Sequence, residues 1–207
     1  MIWLIIASYF IGSFPTAYLT GRLLGRPDIM TLGDGNGGSQ NVARSYGFKY
    51  GLMVFIIDSL KGALVIGLAS SLVGTLSAML WAGTVCVLGH TWSVFLGFRG
   101  GRGEATAIGV LTTLIPLPMI IAGTFAVGTL IWTKSVIKTS IVMFAPLSPL
   151  CWYTGVSKQL TIYSMTLPVI LGIIYLIKER QRLAGIVPEP CPETEQPDKK
   201  DANSDSF

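Results

Sequence analysis

The stretch Gly89-His90-Thr91-Trp92-Ser93-Val94-Phe95-Leu96-Gly97-Phe98-Arg99-Gly100-Gly101-Arg102-Gly103-Glu104-Ala105-Thr106 decides the class of fold. It starts where one apolar run ends and stops where another begins. Its centre sets Gly100, Gly101 and Gly103 among Arg99 and Arg102, and it carries the chain's single histidine, His90. Glycine lets backbone N–H groups come close to an oxyanion, and arginine pairs with phosphate through two parallel hydrogen bonds. Charged, irregular backbone between apolar runs survives only where it meets water or lines a polar cavity. The pattern predicts a polar loop between two membrane helices, able to hold an anion.

The composition outside the loop agrees. Of 207 residues, 51% are hydrophobic and 13% charged, against about 25% charged in a soluble domain. That excludes a soluble core. The net charge of +4 sits in short linkers, which points to membrane topology and not to nucleic acid. Cys86, Cys151 and Cys191 have neither metal-ligand nor disulfide-framework spacing, so no metal or cofactor is expected. Met1-Ile2-Trp3-Leu4 lacks the basic start of a cleaved signal and reads as a retained span.

About 20 apolar residues cross a bilayer as a helix. On that measure residues 2–24 form a first span, interrupted by Gly12-Ser13-Phe14-Pro15. Residues 27–50 form a polar linker around Gly33-Asp34-Gly35-Asn36-Gly37-Gly38-Ser39-Gln40-Asn41, with a short helix after Asn41. Further spans are predicted at 52–73, 76–96 and 105–132, and two short helices at 140–153 and 159–177. The expected architecture is an all-α, polytopic membrane bundle of about seven long and short helices. It comprises a membrane domain at 1–186 and a disordered polar tail at 187–207. Basic linkers favour the cytoplasm. Arg22, Arg26, Arg44 and Lys49 put the first linker inside, with Arg99 and Arg102 on the same face. That parity needs an odd number of crossings, whereas six segments are counted, which implies either a re-entrant late helix or a membrane-dipping segment at 41–50, and Lys134 and Lys138 fall on the wrong side. Nothing in the sequence fixes the oligomeric state.

Two glycine-rich linkers on one face are the most informative feature. Gly100, Gly101, Gly103 and Arg102 suit a phosphate. The same glycines can equally serve helix packing, and the arginines topology. His90 can be a general base or an anion ligand, or simply an interfacial histidine bonded to a carbonyl. Asn36, Ser39 and Asn41 can bind a polar headgroup or only cap helices. Asp58 and Lys61, three residues apart, share a helix face and read as a structural or supporting ion pair.

These blocks resemble the bacterial acyl-phosphate-dependent glycerol-3-phosphate acyltransferases, small integral membrane enzymes of phosphatidic acid synthesis. The first family block, G-S-G-N-x-G-A-T-N followed by arginine, corresponds to residues 33–41 and Arg44. The second, G-H and then F-K-G-G-K-G-x-A-T, corresponds to Gly89-His90 and residues 98–106, ending at Thr106. Asp34 stands where the family has serine, Arg102 where it has lysine, and Glu104 where it has an apolar residue. Asp34 and Glu104 would repel a phosphate that they faced. The third block keeps its basic character in Lys178-Glu179-Arg180-Gln181-Arg182 without the family asparagine and final glutamate.

The resemblance implies a multi-pass enzyme of the bacterial cytoplasmic membrane with its active-site loops facing the cytoplasm. It would move a fatty acyl group from acyl phosphate to the 1-hydroxyl of glycerol 3-phosphate. His90, Arg102 and Arg44 are the expected catalytic residues. Asn36, Asn41, Ser39, Gly100, Gly101, Gly103 and Thr106 are the expected substrate-binding ones. Two alternatives stay open: a catalytically weakened lipid- or phosphate-binding paralogue, and a small anion transporter built on broken helices.

Overall fold

A computed structural model describes residues 1–184, so the tail expected at 187–207 lies outside the described residues. The α-helices of the described residues are α1 (Ile2–Ser13), α2 (Thr16–Leu23), α3 (Ser39–Ser45), α4 (Phe48–Leu72), α5 (Leu76–Thr91), α6 (Glu104–Leu114), α7 (Pro116–Thr133), α8 (Val136–Phe144), α9 (Leu147–Tyr153) and α10 (Lys158–Leu183), with irregular linkers at 24–38 and 92–103. Five segments are long and apolar enough to span a bilayer: Ile2–Leu23, Phe48–Leu72, Pro116–Thr133, Val136–Tyr153 and Lys158–Gln181. Leu76–Thr91 and Glu104–Leu114 are shorter apolar helices. The expected helical membrane bundle is therefore present, with seven apolar segments.

The expected single span at 105–132 is corrected to two helices. Proline has no N–H and pushes the residue before it out of the α region. Ile115 accordingly sits at φ −136°, ψ 63°, between α6 and α7, with Pro116 opening α7. The chain turns there and returns to the level of Glu104, whose carboxylate accepts from Ser140 on α8. This turn supplies the missing seventh segment. It also brings the Lys134–Lys138 connection to the same end as the Arg102 loop. Other boundaries shift less: α4 begins earlier than residue 52, α5 ends at Thr91, and α8 begins at Val136 with Ser135 accepting from the Lys138 amide.

Inside a bilayer helices associate by close contact of small residues, because lipid is as apolar as leucine. Gly12 of α1 lies directly on the Cys86 backbone of α5, and Gly109 of α6 on the Ser59 backbone of α4. A core of Ile66, Val87, Val110, Leu111, Leu147 and Leu167 fills the bundle. Trp3, Leu60, Phe125 and Ile131 are exposed on the outside, where acyl chains would cover them. α10 runs parallel to α5: Tyr163 Oη donates to Leu80 O, and fifteen residues on, Lys178 donates to Thr91 O. The first linker is pinned at its far end by Tyr46, whose hydroxyl donates to Pro27 O at 2.5 Å. Burial, with the charge of Asp28 adding to it, pushes that phenol up to about 12, so it remains a donor at any working pH.

A Gly12→Val variant should lose stability by about 1–3 kcal/mol, because its side chain meets backbone and not a movable side chain. Gly123→Val, at a position with open space, should not. Thermal unfolding in detergent checks the pair, and equal midpoints would contradict the packing described.

Candidate active site

The site begins where the first span breaks. Pro15 interrupts the helical ladder and frees carbonyls near it. One of them, Phe14 O, accepts from Lys61 Nζ at 2.6 Å. α4 presents Asp58 beside Lys61, and Asp58 Oδ1 accepts from Lys61 Nζ at 2.6 Å and from Thr16 Oγ1 at 2.9 Å. All three side chains are buried. A buried charge without a partner is strongly destabilising, so the pair and the helix break hold each other in place.

His90, on the last turn of α5, arrives at the same point. Its Nδ1 is 3.8 Å from Asp58 Oδ1, longer than a hydrogen bond but close enough for direct electrostatic contact. Its Nε2 lies against Gly101, where any Cβ would collide with the ring. The 92–103 loop is folded back over the end of α5. Gly101 N–H donates to His90 O at 3.1 Å, and Phe98 N–H to Ser93 O at 2.8 Å. Lys178 of α10 clamps the fold, donating to Thr91 O at 3.1 Å and to Gly100 O at 2.9 Å. Ser13, Thr16, Gly37, Asp58, His90 and Gly101 line one cleft.

The first linker meets this loop at Gly37, which packs against Gly100 and Gly101. Asn41, fully buried, organises the linker. Its Nδ2 donates to the carbonyls of Ile29, Leu32 and Asn36 at 2.9–3.1 Å, and its Oδ1 accepts from Asp34 N–H at 3.3 Å. Arg102 reaches toward the linker, with Nη2 3.4 Å from Asp34 Oδ2. The guanidinium also lies over the Tyr175 ring of α10, 4.8 Å from its centroid.

A cleft with a histidine–aspartate contact and an arginine beside two glycine-rich loops has groups whose chemistry suits an anionic ligand. The comparisons with known proteins agree. The family described as glycerol-3-phosphate acyltransferase matches residues 2–188. The chain belongs to this family. It is 43% identical to glycerol-3-phosphate acyltransferase 4 of Dehalococcoides mccartyi over 177 residues, which cover 86% of this chain and 96% of that one. Among solved structures it is similar to PlsY (YgiH), an integral membrane glycerol 3-phosphate acyltransferase, in its glycerol 3-phosphate form. The TM-score there is 0.77 and the identity 29%, over 89% of this chain and 92% of the other. The lysophosphatidic acid form of PlsY matches with a TM-score of 0.73 and 28% identity, over 89% and 90%.

The expected site residues divide into groups. His90, Gly100 and Gly101 come together with Asp58 and Lys61, while Arg102 and Asp34 meet beside them. Gly103, at φ +82°, opens α6. Thr106 is buried with its hydroxyl unpaired, and Asn36 Oδ1 is likewise buried without a donor. Ser39 is the half-buried first residue of α3. The amide of Asn41 is engaged in shaping the linker. Arg44 is exposed on the last turn of α3 and bonds none of the clustered residues. Glu104 stands in the first turn of α6 and accepts from Ser140, and Arg102 is close enough to offset its charge. Asp34 faces an arginine and so does not act as unopposed negative charge.

Thr16 and Tyr175 are additions that the sequence alone does not single out, and Lys178, named there only as part of a basic run, gains a specific place. Thr16 follows the Pro15 break. Tyr175 and Lys178 are three apart, and that spacing puts them on one face of α10. Lys178→Met should free the Gly100 carbonyl and loosen the loop. Amide exchange across residues 99–103 should rise about tenfold with the rest of the bundle unchanged, as expected when two charge-assisted hydrogen bonds are lost. Unaltered protection there would show that Lys178 does not hold the loop.

Proposed function

We propose that this chain, as a glycerol-3-phosphate acyltransferase, takes its acyl group from acyl phosphate and delivers it to the 1-hydroxyl of glycerol 3-phosphate. The products are lysophosphatidic acid and inorganic phosphate. The observation that carries the reading is the meeting of His90, Asp58 and Gly101 in one cleft, with Arg102 on the next residue of the same loop.

Acyl phosphate is already activated, so positioning and charge stabilisation suffice. The hydroxyl oxygen attacks the acyl carbonyl carbon, a new ester bond forms, and the bond to phosphate breaks. His90 orients the hydroxyl and takes its proton, or the leaving phosphate takes it. Asp58, fixed by Lys61 and Thr16, holds the histidine ring in place. Arg102 balances phosphate charge, kept flat by Tyr175. The exposed apolar faces let the acyl chain enter sideways from the bilayer. The unit that does this is the membrane domain, residues 1–186.

The end of the bundle bearing the site faces the cytoplasm in this reading, and the membrane is the bacterial cytoplasmic one. Support comes from charge: Arg26, Arg99, Arg102 and Lys134 fall in connections at this one end, with Arg22 and Lys138 in the helix turns next to them. Family membership sets aside the anion-transporter reading. The Asp34–Arg102 contact is the one observation that favours a weakened, phosphate-binding relative, and turnover decides between the two.

Purified protein given acyl phosphate and glycerol 3-phosphate should form lysophosphatidic acid. Binding of both without product would support the weakened relative. Arg102→Ala should abolish product in a folded protein. His90→Ala should lower kcat by about 100-fold or more, the range of a lost general base, with little change in thermal stability. An unchanged rate would remove His90 from the mechanism.

A further inference from the structure

Resting on the acyl-transfer reading, we infer that Asp34 receives the 2-hydroxyl of the phosphorylated polyol, the hydroxyl that is not acylated, and thereby selects the polyol over bare phosphate. Asp34 uses one carboxylate oxygen toward Arg102, at 3.4 Å. Its other oxygen, Oδ1, is buried with no donor, and so is Asn36 Oδ1 two residues on. Buried acceptors are almost always paired, and an unpaired one is destabilising. Two orphan acceptors in one turn therefore call for a ligand that donates.

Inorganic phosphate offers mainly acceptor oxygens, which suit Arg102 and oppose Asp34. A polyol phosphate offers both kinds of group. A guanidinium has five N–H donors in a fixed fork, so Arg102 can serve a phosphate while keeping Asp34 beside it. At 3.4 Å the ion pair is also looser than a charge-assisted hydrogen bond of about 2.7–2.9 Å, so the carboxylate remains free to adjust. The arrangement is rigid where it needs to be. Asp34 N–H is held by Asn41 Oδ1, Asn36 O by Asn41 Nδ2, and Arg102 by Tyr175. The carboxylate that looks like an obstacle to phosphate is thus the acceptor edge of a two-part site: arginine for the phosphate, Asp34 with Asn36 for the 2-hydroxyl.

A ligand-by-residue cycle tests this. Binding of glycerol 3-phosphate, of propyl phosphate, which lacks the hydroxyls, and of inorganic phosphate is measured by calorimetry on the wild type, Asp34→Asn and Asp34→Ser. The wild type should prefer glycerol 3-phosphate to propyl phosphate by at least about tenfold, the contribution of one hydrogen bond to a charged acceptor. In Asp34→Ser that preference should collapse toward unity while inorganic phosphate binds more tightly. Asp34→Asn, which keeps the shape and one acceptor, should fall between. Equal gains for all three ligands in both variants would overturn the inference and leave Asp34 as a repulsive substitution only. A wild type that binds these ligands yet yields no lysophosphatidic acid would overturn the acyl-transfer reading instead, so the two failures are distinguishable.

Discussion

A carboxylate buried between a broken helix and its neighbours is the constraint on which the site depends. Asp58 cannot stay charged inside the bundle unless cations and donors surround it. Lys61 and Thr16 do so, and Lys61 reaches on to the Phe14 carbonyl exposed by the Pro15 break. Those contacts fix the relative height of α1, α2 and α4. They also decide where His90 ends up, because its ring fits between Asp58 and Gly101. Remove the break and Lys61 loses a partner; remove Lys61 and Asp58 is stranded.

Around that centre the charged groups of the polar loops are each given a second task. Lys178 ties the glycine-rich loop down through two carbonyls, and Glu104 bonds α8. Arg102 is shared between Tyr175 and Asp34. These contacts hold Lys178, Glu104 and Arg102 in fixed positions around the two loops. α10 supplies both Tyr175 and Lys178, so the last helix supports a site whose other residues come from the first two-thirds of the chain.

Much of this was legible from residue patterns and some was not. Apolar length and the position of glycine-rich linkers were enough for the bundle and for the two loops on one face, whereas the contact of His90 with Gly101 was not legible. The Asp58–Lys61 pair was readable as a pair, since i,i+3 spacing is local. Its contact with His90 joins different helices and is set by packing, which no spacing in the chain encodes. Pro116 was an available signal for the split of residues 105–132, overridden by the apolar run around it. For Asn41, residue type alone did not show that its amide shapes the linker, because its partners at Ile29, Leu32 and Asn36 are brought to it by the fold.

The most direct test of the whole arrangement is an experimental structure with glycerol 3-phosphate bound. Its phosphate should lie within hydrogen-bond distance of Arg102, with the 1-hydroxyl turned into the cleft beside His90. Phosphate bound away from Arg102, with His90 and Gly101 untouched by ligand, would contradict the site described.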